Sequence, residues 1–266
     1  MFKVLIVILS LALTSGTAIA DAMKLAVTTS FENSGLADVL LPQIKTDLDI
    51  DVQLLVVGTG QAIRLGEAGD VDAILVHSKN AEEAFVEAGH GKYRREIMYN
   101  DFVLIGPVGD PAGISDDSTA VKAMQNIART EALFVSRGDD SGTHKAELAI
   151  WRSADLDPAN FGEWYNSVGA GMGAALNTAA GLDAYILADR ASWLKFGNKS
   201  GLGLLYSGDP ALFNQYAYLP VNPAKYSHVR NDLAVQLEDW LVSDRAKDLI
   251  DGYMINGETL FVFNAE

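Results

Sequence analysis

The chain has 266 residues, 35 of them acidic and 20 basic, for a formal net charge of −15. That balance excludes a nucleic-acid partner and an anionic membrane surface, both of which require a basic face, and leaves proteins and small molecules. Zero cysteines exclude a disulfide-stapled module, so a core drawn from a 49% hydrophobic composition supplies the stability.

Residues 1–20, MFKVLIVILSLALTSGTAIA, carry one lysine, an apolar run and a small-x-small ending at Ala18 and Ala20. This is the pattern of a secretory signal peptide cut near Ala20. Thr14 and Ser15 end the run short of the about 17 to 25 apolar residues that a membrane anchor needs. With no lipobox cysteine, the expectation is a periplasmic protein whose mature part begins at residue 21. That part is long enough for one large domain or two lobes of roughly 100 to 150 residues each.

KLAVT at 24–28 predicts a strand, followed by a Thr/Ser/Asn/Gly loop and a helix over 35–45. A strand over 52–57 leads through the turn Gly58, Thr59, Gly60 to a helix over 61–68, a strand over 73–76, a helix over 80–88 and a strand over 101–106. This β-loop-α repeat is the signature of a parallel sheet with helices on both faces. Pro107, Gly109, Asp110, Pro111 and Gly113 then break regular structure and mark a crossover. The second unit runs through a helix over 118–129, a strand over 132–135, a helix over 143–152, a GAGMG helix start at 169–173, a strand over 184–187 and a short helix over 189–196. A strand over 214–222 leads back. Val229, Leu233, Leu237, Leu241, Ala246, Leu249 and Ile250 then fall at helical spacing, which predicts two closing helices. The domains expected are the signal peptide at 1–20, lobe I at 21–106 and 223–266, and lobe II with the hinge crossings at 107–222. Two lobes joined by two crossings imply a hinge and a cleft.

Three strand-to-helix corners share one chemical habit. They hold Thr28, Thr29 and Ser30; Gly58, Thr59 and Gly60; and SRGDDSGT at 136–143, with Arg137, Ser141, Gly142 and Thr143. The carboxyl ends of strands in open α/β sheets face the ligand crevice, and a helix starting there offers unpaired N–H groups to an anion. Glycines let the backbone approach closely, and hydroxyls donate. One such corner alone reads more readily as an N-cap; three on two lobes favour an anion site. Arg137 supplies a cation, unless Asp139 or Asp140 consumes it. Those carboxylates either cap the helix or fix Arg137. A ligand that carries a proton, such as phosphate, needs a carboxylate acceptor, whereas tungstate, molybdate or sulfate needs donors only.

Other signals are weaker. Residues 169–174 fit G-x-G-x-x-A, with Asp189 at a suitable distance for a dinucleotide, yet no clear strand precedes them. His77, His90, His144 and His228 show no metal spacing. Ser141 and His144 lie one turn apart without the third member a nucleophile needs. Asp47, Asp49 and Asp51 read as a solvated face.

Over nearly the whole mature part, the chain resembles the TupA-type tungstate-binding proteins of bacterial ABC transporters, within the two-lobed periplasmic binding proteins. The resemblance is carried by SRGDDSGT at 136–143, TTS at 28–30, VGTGQA at 57–62, DAILVHS at 72–78, NDFVLIGP at 100–107 and ADRASW at 188–193. It implies an α/β fold of the type II periplasmic binding protein, each lobe a mixed, mainly parallel sheet flanked by helices, with the ligand cleft between lobes. It implies that Thr28, Ser30, Arg137 and Thr143 contact the anion, that Gly58 to Gly60 and 76–78 lie beside it, and that Ser141 and Gly142 lend N–H groups. Two departures stand out: Val27 where the family commonly has a threonine, and Ser78 where a small apolar residue is usual. The expected function is capture of a tetrahedral oxyanion, tungstate first and molybdate second, by a monomer that delivers it to membrane permease subunits. No cofactor, catalytic metal or enzymatic activity is expected. SGT after an arginine-bearing loop also resembles phosphate-binding proteins, and a secreted hydrolase or nucleotide-dependent enzyme is the remaining alternative.

Overall fold

The computed structural model describes residues 21–265; the expected signal peptide at 1–20 lies outside the described residues. The first half of the chain builds β1 (Asp21–Thr28), α1 (Thr29–Ser34), α2 (Ala37–Leu48), β2 (Ile50–Val57), α3 (Thr59–Ala68), β3 (Ala73–Val76), α4 (Lys79–Glu87) and the long β4 (Arg95–Pro107). There follow α5 (Ala120–Thr130), β5 (Phe134–Ser136), α6 (Gly142–Ser153), β6 (Tyr165–Ser167), α7 (Met172–Leu182), β7 (Tyr185–Asp189), α8 (Arg190–Lys195) and β8 (Leu202–Tyr206). The chain closes with β9 (Phe213–Pro220), α9 (Asn231–Leu241), α10 (Asp244–Asp251) and the short strands β10 (Met254–Ile255), β11 (Glu258–Thr259) and β12 (Val262–Phe263).

The strands order as β2-β1-β3-β9-β4-β7-β5-β6. The β1, β2 and β3 ladders are parallel, as are those of β5 with β6 and β7. The long β4 and β9 run antiparallel to their neighbours, so the sheet is mixed and mainly parallel within each half. β4 is shared: Arg95 to Asp101 pair with β9, and from Phe102 onward it pairs with β7 and β8. The exchange of partners along β4 therefore falls at Asp101/Phe102, and β9 begins its pairing with β4 at Phe213, opposite Asp101.

Successive side chains of a strand point to opposite faces, and the cores follow that rule. On β1, Leu25 and Val27 join one cluster while Ala26 joins another under α3 and α4. On β5, Phe134 packs with Met124, Ile127 and Trp151 of α5 and α6, while Val135 faces Met172 and Leu176 of α7. Strands covered on both faces need continuous apolar runs, as AILV of β3 is, buried at every position. The cluster under α2, α9, α7 and α8 is continuous across both halves. There Lys195 of α8 also donates to the carbonyls of Asn33 and Ser34 at the end of α1. Among the described residues no helix is long and apolar enough to cross a membrane.

Several elements differ from expectation. Six residues placed in a loop form α1, because Thr28 caps it by accepting from Phe31 N–H and Gly35 ends it in the left-handed region. A short strand, β6, does precede the GAGMG segment, pairing with β5. β8 was not foreseen, and β4 begins at Arg95 instead of 101 because its first residues pair with β9.

Candidate functional site

β1, β2, β3 and β5 all end at one place, and the turns that follow enclose a cavity of about 330 Å³ between the two halves. Ten residues of the three corners line it together: Thr28, Thr29 and Ser30; Gly58, Thr59 and Gly60; Arg137, Ser141, Gly142 and Thr143. Ser78 does not. It precedes α4 and gives its N–H to Glu82, and it borders an adjoining hollow of about 400 Å³ with Lys79, Phe102, Phe213 and Asn214. Its position follows from the reversal of side chains at a strand end, which turns His77 into the main cavity and Ser78 away.

Two helices of useful length point their N-termini inward. α3 starts at Gly58 with no side-chain cap and no acid in its first turn. α6 starts at Ser141, whose Oγ accepts from His144 N–H, again with no acid in the first turn. Such ends carry partial positive charge and leave backbone donors open to an anion. Ser141 and His144 thus meet through a cap, and His144 Nδ1 accepts from Asp140 N–H at 3.1 Å, so these two residues do not form the hydroxyl-to-imidazole bond that a serine nucleophile needs.

Arg137 sits in the loop after β5. Its Nη2 donates to Asp139 Oδ2, while its buried Nε has no partner among the described residues. The other oxygen of Asp139 accepts from Ser141 N–H at 3.2 Å. Burial pushes Asp139 up, but bonds from Ser141 and Arg137 outweigh it and hold the carboxyl below its usual pKa, so it stays ionised and fully engaged. Asp140 turns outward, its side chain 88% exposed and 3.5 Å from Lys145 Nζ. The loop is held from behind: Val168 N–H donates to Ser136 O and Ala170 N–H to Arg137 O, both from the segment that β6 leads into. Gly138 has φ 61°, and a Cβ there would collide with Ser167 Oγ, so only glycine fits this turn.

On the other wall the hydroxyls are linked. Ser30 Oγ lies 3.0 Å from Thr28 Oγ1, 3.0 Å from His77 Nε2 and 3.1 Å from Tyr216 OH. Burial pushes His77 down to about 4 and Tyr216 up to about 12, so both are neutral near pH 7. His77 also reaches the other half: a Cβ on Gly142 would stand 2.5 Å from its Cε1.

Gln61, Arg64 and Lys145 line the cavity as well. Arg64 Nε and Nη2 donate to Gln61 Oε1, and Arg64 meets no carboxylate among the described residues. Placing α3 on a helical wheel from Gly60 would have revealed it, since Arg64 lies one turn on. The lining thus holds three cations against two carboxylates, in a chain of net charge −15. Among the described residues no group of three or more His, Asp or Glu stands where it could hold a metal ion.

Residues 14–245 match the PBP superfamily domain. The chain is 44% identical to the tungstate-binding protein TupA of Peptoclostridium acidaminophilum over 245 residues, covering 91% of this chain and 85% of that protein. The chain belongs to the PBP superfamily, in its TupA family. The solved structure of the tungstate-binding protein TupA from Desulfovibrio alaskensis G20 matches with a TM-score of 0.88 at 42% identity, covering 93% of this chain and 100% of that one. The structure of the tungstate ABC transporter from Geobacter sulfurreducens matches at 0.78 and 44%, covering 87% and 98%. The α/β architecture, two halves about a shared pair of long strands, is therefore that of the TupA-type binding proteins.

Proposed function

We propose that this protein is the extracytoplasmic solute-binding subunit of an ABC transporter and that it captures a tetrahedral oxyanion, tungstate first and molybdate second. It is a binding protein and not an enzyme. The observation that carries the reading is the donor set: hydroxyls of Thr28, Ser30 and Thr143, the uncapped start of α3, the first turn of α6 and the Nε of Arg137, unpartnered among the described residues, converge from both halves on one cavity. Many neutral donors replace the ion's hydration, while the guanidinium adds formal charge where water is excluded and attraction is stronger. Thr29, Gly58, Thr59, Gly60, Ser141 and Gly142 complete the wall, and Ser78 stays outside the ligand shell.

Phosphate fits less well because its proton needs an acceptor. Each oxygen of Asp139 already accepts one bond, from Arg137 and Ser141, that ties the carboxylate into its own loop, and Asp140 faces solvent. The relatives named above as tungstate binders support the same choice. The hinge of this reading is the partner exchange at Asp101/Phe102 with the return at Phe213, so that lobe I is 21–101 with 213–265 and lobe II is 102–212. The signal peptide at 1–20 is removed on export to the periplasm, and the mature monomer delivers its ion to the permease subunits. Calorimetric titration with tungstate, molybdate, sulfate and phosphate tests it: tungstate binds tightest with one site, and tightest binding of phosphate would overturn the assignment.

A further inference from the structure

The hydroxyl of Ser30 has more neighbours than it can serve in one way. It offers one proton and two lone pairs, yet Thr28 Oγ1, His77 Nε2 and Tyr216 OH all lie at 3.0–3.1 Å. Tyr216 is fully buried and retains its proton; its hydroxyl stands 3.1 Å from Ser30 Oγ, a contact in which either can donate, and in the arrangement inferred below Tyr216 is the donor. One lone pair of Ser30 is thereby occupied. The other lone pair and the proton remain, and His77 decides where they go.

With a proton on Nε2, the imidazole donates to Ser30 and fills the second lone pair. Thr28 can then no longer donate to Ser30, so the protons of both hydroxyls are available to the cavity that both residues line. With Nε2 bare, Ser30 gives its proton to the ring, and its free lone pair is open to the hydroxyl of Thr28. The Ser30 proton then turns away from the ligand, and Thr28 has a second acceptor that competes with the ligand for its own. The Thr28 oxygen is fixed throughout by Phe31 N–H at 3.2 Å, so the exchange moves protons and not heavy atoms. In water the competing form is set by the other partners of the ring, the Asn214 side chain and the His77 main chain.

We infer that His77 is a positioning residue whose tautomer sets Thr28 and Ser30 as donors, and that a fully ionised oxyanion selects the form protonated on Nε2. The inference rests on the oxyanion reading above and deepens it. Such a chain of donors is polarised cooperatively toward the anion, and a ligand bearing its own proton gains less from it, which makes His77 a specificity determinant as well.

The test is nitrogen-15 NMR of the histidine side chains in the full mature protein, free and saturated with sodium tungstate, with His77 assigned by its loss in His77→Gln. The expected result is an Nε2 of protonated type in the complex. An Nε2 that remains bare in the complex overturns the inference while leaving tungstate binding intact; absence of binding heat with the wild-type protein overturns both. A second arm compares variants by calorimetry. His77→Phe, with no ring nitrogen, should weaken tungstate by about tenfold or more, and His77→Gln, which keeps a donor near the Nε2 position, should largely restore it. Equal tungstate affinity for His77→Phe and wild type overturns the inference.

Discussion

His77 of one half faces Gly142 of the other so closely that a methyl group on Gly142 would stand 2.5 Å from the imidazole Cε1. The first turn of α6 therefore comes this near to His77 only because it begins with glycine. Gly142→Ala should cost about 1–3 kcal/mol of oxyanion binding, the range for overpacking a close contact. Opening the cleft relieves the clash, so the melting temperature of the unliganded protein should change little. Calorimetry together with thermal unfolding checks the pair of outcomes, and a large drop in melting temperature with unchanged affinity would show that the contact belongs to the fold instead of to capture.

Arg137 is divided between Asp139 and an unpartnered Nε. Arg137→Ala should weaken tungstate by about 1.5–3 kcal/mol, the range for a hydrogen bond to a charged group. Arg137→Lys keeps the charge but loses the planar fork, and should recover only part of that loss. Titration of both variants decides; wild-type affinity in Arg137→Ala would remove this side chain from the ligand contacts.

Arg64 presents a cation over the first turn of α3, where like partial charge makes it unfavourable without an anion, and among the described residues Gln61 alone accepts from it. Being exposed, it acts through a screened field. Arg64→Gln should reduce tungstate affinity by about 0.2–1 kcal/mol at low salt, chiefly through slower association, and the difference should vanish near 1 M salt as the Debye length falls to about 3 Å. Stopped-flow kinetics at several salt concentrations measures this directly.

Glu147 is buried on α6, accepting from Tyr165 O–H at 2.7 Å and Trp151 N–H at 3.1 Å through the same oxygen. Burial raises its pKa above the ordinary carboxylate value, against the lowering effect of its hydrogen bonds. A raised folded-state pKa means that the charged form opposes folding, so this penalty is absent below the unfolded pKa and grows as pH rises through the folded one. Glu147→Gln keeps an acceptor for both donors. It should be more stable than wild type near pH 8, with the advantage shrinking toward pH 4. Denaturant unfolding across that range checks it, and an advantage that instead grew on acidification would contradict the sign.

The corners were legible because their residues act locally. Ser141 caps α6 and Thr28 caps α1 through bonds to residues three positions on, and the apolar runs of β1, β3 and β7 mark strands covered on both faces. What escaped notice depends on distant partners. β6 is three residues, none of them buried, and exists because β5 lies beside it; it nevertheless holds the Arg137 loop. Tyr216 meets Ser30 across 186 positions, and no local pattern announces such a pair. The change of partner along β4 at Asp101/Phe102 is hidden for the same reason: it is a property of the sheet, whereas Pro107 breaks the chain visibly.

The central claim is that one oxyanion is held by groups from both halves. Anomalous scattering from tungsten in crystals of the protein grown with tungstate tests it most directly. The account predicts a single peak in the cavity between the halves, within hydrogen-bonding reach through its oxygens of Thr28 and Ser30 on one side and of Arg137 and Thr143 on the other. A peak touching only one half, or lying elsewhere on the molecule, would contradict it.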